Sequence, residues 1–233
     1  MEGFPITNPD TSCAQIDYAF LPFGTEALES REIGVRSEIF DGRLRLNASY
    51  FTSDYDNIQQ TNIQLTGRPF IRNTGSADFK GYEIEGVLAV AEGLQVNFNV
   101  GGLDPSRADG NAVTNVVESS YNLGVRYFNG LNNGGSLTLS ANYGWQDDVL
   151  TDAGPPETFR EAYGLASFRA TYSSPGDRWD ASVFCTNCAN EPYNYSNSGL
   201  NFASQNQTLF QYFEMRARLR EWGATFKYYF GER

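Results

Sequence analysis

The sequence predicts an all-β protein whose antiparallel strands, about nine of them, form part of a transmembrane β-barrel. Three observations carry that expectation. Apolar and polar residues alternate with period two in segment after segment. The connections between segments run short, long, short, long, so that one rim is trimmed and the other elaborated. The segments extend about ten residues or more, beyond the five or six usual in soluble sheets and enough to cross a hydrocarbon layer at a tilt.

The first strand is expected between Arg31 and Phe40, where Ile33, Val35 and Ile39 alternate with Glu32, Arg36 and Glu38. The Asp41-Gly42 pair then reverses the chain, because both residues accept the positive φ that a two-residue hairpin demands. Its partner runs from Arg43 to about Ile58, with Leu44, Leu46, Ala48 and Tyr50 on one face and Arg43, Arg45, Asn47 and Ser49 on the other. A polar stretch, Gln60 to Pro69, leads to a third strand from about Ala77 to Val90, which sets Tyr82, Ile84, Leu88 and Val90 against Glu83 and Glu85. Glu92-Gly93 is a short turn, and Leu94 to Gly101 alternates strictly.

After a longer connection, Leu103 to Ala112, strands are expected at Val113 to Phe128 and Ser136 to Trp145, joined compactly through the Asn- and Gly-rich segment from Asn129 to Gly135. An acidic loop from Gln146 to Glu161 precedes a strand from Ala162 to Tyr172. The turn from Ser173 to Asp177 leads into another strand, from Trp179 to about Thr186. A polar segment from Asn190 to about Gln211 comes before the last strand, which carries Trp222, Ala224, Phe226, Tyr228 and Phe230 on one face. Aromatic residues gather toward strand ends, at Tyr50 and Phe51, Tyr127 and Phe128, Tyr143 and Trp145, and Tyr228 to Phe230, where interfacial girdles need them.

Composition narrows the function. Aromatic residues make up 15% of the 233 and charged residues 19%, a chain richer in rings and poorer in charge than an ordinary soluble domain. A net charge of −11 leaves no basic footprint for nucleic acid. Histidine is absent, which removes the commonest general base, the usual activator of a nucleophile and the main nitrogen ligand for zinc or iron. No enzyme activity, metal or cofactor is therefore expected. The longest apolar run is Val87 to Ala91, far short of the about 18 residues a membrane helix requires. The first residues, through Cys13, show neither cationic head nor apolar stretch, so a secretory signal is expected to be absent or to lie upstream. Three cysteines, Cys13, Cys185 and Cys188, are too few for a disulfide framework. Cys185 and Cys188 face opposite ways if both lie on a strand, so a bond between them requires the strand to have ended.

Alternation by itself also fits a soluble sandwich with a shared core. The opposite face separates the two. It carries Gly34, Gly81, Gly124, Gly144 and Gly223 among Glu, Arg, Asn, Ser and Thr, as suits a crowded aqueous interior. A lipid-facing sheet must close on itself to satisfy its backbone, and single-chain bacterial barrels have even strand numbers, so about nine strands imply a piece of a larger wall.

Several stretches in order resemble the C-terminal part of the β-barrel of TonB-dependent outer-membrane receptors. They are Thr25 to Ser37; Arg43 to Phe51 with Asp54 to Gln59; Asn73 to Ala77 with Lys80-Gly81-Tyr82-Glu83-Ile84-Glu85-Gly86; Trp179 to Phe184 with Asn187 and Glu191-Pro192-Tyr193; and Gly223 to Phe230. The resemblance covers nearly the whole chain. It departs from the family where Gly231-Glu232-Arg233 follows Phe230 in place of a terminal aromatic residue, and where Cys185 and Cys188 flank Asn187.

The resemblance implies a barrel of about 22 strands with an N-terminal plug, of which residues 1–233 supply the C-terminal section without the plug. It implies the bacterial outer membrane, with lipid as surroundings, and uptake of a scarce nutrient, foremost a ferric siderophore. The TonB complex is implied as partner only through an N-terminal region absent from these residues. On that reading the residues expected to meet a ligand are inward-facing Arg36, Glu83, Glu85 and Arg126, together with Asp147, Asp148, Tyr193 and Tyr195 in the long connections. The same loop chemistry suits a sugar or cobalamin. The alternative is a soluble β-sandwich that stacks glycans on its aromatic residues, and it predicts apolar faces that meet each other. A barrel hydrolase lacks its base.

Overall fold

The computed structural model of the chain describes residues 6–7, 14–15, 21–63, 69–153, 157–204 and 207–230. Its strands in chain order are β1 (Ile6–Thr7), β2 (Ala14–Gln15), β3 (Ala27–Ile39), β4 (Leu44–Asp56), β5 (Gln59–Ile63), β6 (Pro69–Asn73), β7 (Ala77–Ala91), β8 (Leu94–Arg107) and β9 (Ser119–Gly130). They continue with β10 (Ser136–Gln146), β11 (Val149–Asp152), β12 (Thr158–Arg160), β13 (Tyr163–Ser173), β14 (Trp179–Thr186), β15 (Asn194–Ser204), β16 (Gln207–Arg216) and β17 (Glu221–Tyr228). One antiparallel sheet of nine strands dominates, in the order β17-β14-β13-β10-β9-β8-β7-β4-β3. The nine strands lie in the sheet in the order in which they follow one another along the chain, and the sheet stays open with β3 and β17 as its edges.

Register makes the two faces continuous, because residues directly opposite on antiparallel strands point to the same side. One row reads Val35, Ala48, Ile84, Val100, Tyr121 and Trp145. A second reads Ile39, Leu44, Leu88, Val96, Val125 and Ala141, and runs on through Phe168 and Cys185 to Trp222. The opposite face reads Arg36, Asn47, Glu85, Asn99 and Asn122.

The apolar rows are uncovered. Ile33 is 75% exposed, Trp222 69% and Phe226 67%, and among the described residues only Ala77, Val149 and Cys185 are buried hydrophobic groups. No second sheet lies on this face among the described residues, so the sandwich alternative fails on its own prediction. No described helix is long and apolar enough to cross a membrane.

Aromatic residues bound the apolar face at both ends. Tyr121 stacks on Trp145 at 5.3 Å near one rim, and Trp179 lies 5.4 Å from Tyr172 and 5.6 Å from Phe226 near the other. From Trp145 to Leu137 the apolar side of β10 measures about 27 Å along the strand, close to the height of a hydrocarbon belt. Adjacent residues on a strand face opposite ways, so only one of each pair belongs to a girdle. Tyr50 and Tyr127 do, whereas the register puts Phe51 and Phe128 on the polar face.

The trimmed rim follows turn chemistry. Asp41 and Gly42 take φ of 55° and 78°, and the Arg43 N–H donates to the Phe40 carbonyl at 3.1 Å, the geometry of a two-residue hairpin. The elaborated rim differs from the sequence reading. The segments 60–69, 146–161 and 190–211, expected as polar connections, overlap the two-stranded ribbons β5-β6, β11-β12 and β15-β16, the first and last of which run on to Asn73 and Arg216. β8 runs on to Arg107 and β9 starts only at Ser119, so the connection expected at Leu103 to Ala112 is in fact 108–118. Strict apolar alternation stops where the sheet leaves the belt, but backbone pairing does not.

β14 ends at Thr186, Asn187 takes a positive φ of 46°, and Cys188 turns back to form a disulfide with Cys185, their Cα atoms 5.5 Å apart. Cys13 and Gly231-Glu232-Arg233 lie outside the described residues.

Candidate functional site

The polar face and the elaborated rim form one candidate surface. At its centre, register sets Arg36 opposite Asn47 and Asn47 opposite Glu85, and the Asn47 Nδ2 donates to Glu85 Oε1 at 2.8 Å. Glu83 stands one row away, opposite Ser49 and Gly101. Arg36, Glu83 and Glu85 open with Glu32 into a recess of about 420 Å³. The structure thus brings three of the predicted polar-face residues together.

It sets the fourth apart. Arg126 pairs with Gln95 and Ser140 on β9, and the row of Arg36 crosses β9 at Asn122, four residues or about 13 Å away. Arg126 borders a separate recess of about 270 Å³ with Gln95 and Phe128.

The predicted loop residues collect where β10 and β13 reach the elaborated rim. The Asp147 N–H donates to the Ser119 carbonyl at 2.9 Å, and the Asp147 carboxylate accepts the Asp148 N–H at 3.0 Å, so part of this acidic pair serves the turn itself. The Tyr193 ring stacks on Tyr163 at 4.5 Å, and the Tyr163 hydroxyl donates to Gln146 Oε1 at 3.0 Å. Tyr195, 60% exposed, lies on β15, and its carbonyl accepts Arg160 Nη1 at 3.3 Å.

A wider recess, about 850 Å³, lies at the same rim between the ends of β4, β7 and β8 and the β5-β6 ribbon, and the sequence reading does not anticipate it. Tyr55, Phe79, Arg72 and Arg107 supply two rings and two cations to its lining. Arg107, its side chain only 11% exposed, donates to the Thr74 carbonyl and pairs with Asp109 at 3.3 Å. Asp109 accepts the Asn111 N–H at 3.0 Å, and this bond is the main cause holding its carboxyl below the usual carboxylate range. A signal was present in the sequence. Beyond the belt, Phe51, Tyr55 and Phe79 share the parity of the polar face, which marks a change of chemistry from bore to rim. Such a surface can stack a planar ligand, hold an anion on guanidinium groups and accept hydrogen bonds on carboxylates.

A family model described as "TonB dependent receptor-like, beta-barrel" matches residues 14–188. A comparison with curated proteins finds no match. Among solved structures, the chain is similar to the ferric yersiniabactin uptake receptor FyuA from Yersinia pestis, with TM-score 0.70 and 18% identity over 88% of this chain and 30% of that one. It is also similar to the ferric preacinetobactin receptor BauA from Acinetobacter baumannii, with TM-score 0.61 and 15% identity over 97% of this chain and 32% of that one. A third similar structure is FpvA from Pseudomonas aeruginosa, bound to a heterologous pyoverdine and iron, with TM-score 0.59 and 23% identity over 86% of this chain and 27% of that one. The chain spans at most about a third of the length of these receptors.

Proposed function

Because the chain belongs to the family of TonB-dependent receptor-like β-barrels, we propose that it forms the C-terminal section of the wall of a receptor that takes up a ferric siderophore. The family is one of transport receptors of the bacterial outer membrane. In the proposed receptor the apolar face meets lipid, the polar face lines the bore, the short turns are periplasmic and the ribbons face outward. The plug and the segment that contacts the TonB complex belong to parts of the receptor beyond this section. The ligand is recognised and passed through; no bond in it is made or broken.

The observation that carries this reading is the single open sheet with one uncovered apolar face and one charged and amide-rich face. Backbone groups at the edges of such a sheet need further strands, and only barrel closure supplies them within lipid. The siderophore as cargo draws on the likeness to a ferric yersiniabactin uptake receptor and a ferric preacinetobactin receptor, and on the rings and guanidinium groups of the outer recess. Arg36, Glu83, Glu85 and Arg126 are proposed as bore contacts, and Asp147, Asp148, Tyr193 and Tyr195 as rim contacts.

The test is growth of a strain stripped of its own ferric-siderophore receptors and supplied with the complete receptor. In iron-limited medium, at least one of a ferric catecholate, a ferric hydroxamate or a mixed complex restores growth, and loss of TonB abolishes it. Growth on cobalamin or a sugar, with no iron complex active, overturns the cargo. Residues 1–233 staying in aqueous solution without detergent overturns the wall itself.

A further inference from the structure

The polar face is divided by charge. On β3, β4 and β7, Glu32, Glu38, Glu83 and Glu85 outnumber Arg36 and Arg45, and Arg45 is already engaged by Glu38 at 3.1 Å. On β9 and β13 the balance reverses. Arg126 lies directly opposite Ser140, and Ser140 directly opposite Arg169, so the two residues stand in one row, their backbones two strand spacings or about 9.6 Å apart.

That row, from Ala89 through Gln95 and Phe184 to Gly223, contains no carboxylate. The row above it carries Asn97, Gly124, Asn142 and Ser167 across β8 to β13, with carboxylates only toward the sheet edges, Glu38 on β3 and Glu221 on β17, and the row below carries Thr138, Thr171, Ser182 and Thr225 without a carboxylate. The Arg169 guanidinium sits over the Phe184 ring at 4.5 Å and donates to Ser182 Oγ at 3.2 Å. Arg126 makes no hydrogen bond or ion pair with any described residue. Two cations whose charge nothing nearby cancels, in a wall with hydroxyl and amide neighbours, focus positive potential into the bore.

We propose that Arg126 and Arg169 form a waypoint for an anionic cargo on the short-turn side of the bore, and that the cargo travels along β9, β10 and β13 and not past the carboxylates of β3, β4 and β7. This rests on the uptake reading and narrows it to ferric complexes of net negative charge. A mobile cargo fits better than a fixed acidic partner. Arg126 is exposed and unengaged, Arg169 keeps only a hydroxyl and a ring, and neither is locked into the bidentate geometry of a permanent ion pair.

The complete receptor tests this with two probes labelled with radioactive iron, a ferric tris-catecholate of charge 3− and a neutral ferric trihydroxamate. Surface binding is read in de-energised cells and uptake in energised ones. Arg126→Gln with Arg169→Gln is expected to slow catecholate uptake by about fivefold or more at matched surface occupancy, while hydroxamate uptake is unchanged. Arg126→Lys with Arg169→Lys is expected to restore the rate, because charge and not fork geometry guides a passing anion. Unchanged catecholate uptake overturns the proposal. So does equal slowing of both probes or loss of the receptor from the membrane, since either marks a fixed packing partner. A wild-type receptor that binds neither probe overturns the uptake reading itself, and this inference with it.

Discussion

Glycine and an aromatic ring face each other repeatedly across these strands, Gly81 with Phe51 and Gly223 with Phe184 on the polar face, Gly86 with Phe98 and Gly102 with Tyr82 on the apolar one. Gly81 lies opposite Phe51, and a Cβ at Gly81 would stand 2.5 Å from that ring and 2.8 Å from the Gly102 carbonyl oxygen. The ring can turn; the carbonyl, fixed in the β7-β8 ladder, cannot. Gly81→Ala is therefore expected to cost about 1–3 kcal/mol. Gly130→Ala, with nothing within 4 Å of its Cβ, is expected to change stability by less than about 0.5 kcal/mol. Urea unfolding of the complete receptor in lipid vesicles separates the two. Asp109 gives a pH dependence of known sign. Its carboxyl is held low chiefly by the Asn111 N–H, against an opposing loss of solvation. The unfolded loop therefore takes up a proton before the folded one, so the loop's stabilisation is complete above the ordinary carboxylate range and fades as pH falls through the lowered value. Hydrogen-exchange protection factors for residues 107–111 should drop on acidification in the wild type and stay level in Asp109→Asn.

Between elements, two junctions hold the elaborated rim. At the base of the last connection, the Asn187 Nδ2 donates to the Glu191 carbonyl at 2.7 Å while its Oδ1 accepts the Glu191 N–H at 2.8 Å, inside the bend closed by Cys185 and Cys188. Asn187 is buried and takes positive φ, so Asn187→Ala leaves two backbone groups unsatisfied and is expected to cost about 2 kcal/mol, read by the same urea titration. Further out, Asn197 of β15 donates to the Phe159 carbonyl at 2.7 Å and to the Tyr212 hydroxyl at 2.6 Å, clasping the β11-β12 ribbon to the β15-β16 ribbon. Asn197→Ala should let the two ribbons move independently, seen as a broadened distance distribution between spin labels placed one on each. These junctions mark the boundary of what sequence discloses. Strands such as β10 and β14 are legible because an oily row and a wet row alternate over their full length. The ribbons place apolar residues at adjacent positions, Phe70 and Ile71, Val149 and Leu150, Leu209 and Phe210, Tyr212 and Phe213, so no period-two alternation marks them, and their pairing is written in backbone hydrogen bonds to which that pattern is blind. The site divides in the same way. Arg36 and Glu85 follow from alternation, whereas the recess around Tyr55 and Arg107 depends on β8 continuing past Gly101, where its alternation ends.

At the scale of the whole molecule, a wall between lipid and water carries an asymmetry that no soluble sheet shares. Leu123 and Asn122 are neighbours on β9, both away from the rims, and they point to opposite faces. Leu123 is 47% exposed on the apolar side, between Tyr121 and Tyr127 of the two girdles, while Asn122 lies in the row of Arg36 and Glu85. A charge on the lipid side of a barrel near the bilayer midplane costs about 2–4 kcal/mol, because the guanidinium must be dragged from water into hydrocarbon, and the same charge on the lumen side stays hydrated. Leu123→Arg should therefore destabilise the complete receptor by about that amount in vesicles, and Asn122→Arg by less than about 0.5 kcal/mol. In a soluble sheet wet on both faces, the two substitutions would cost nearly the same. The difference between adjacent positions, followed by tryptophan fluorescence during equilibrium unfolding, thus reports directly which face meets lipid. Equal costs would place water on both sides of β9 and remove the membrane from the account of this fold.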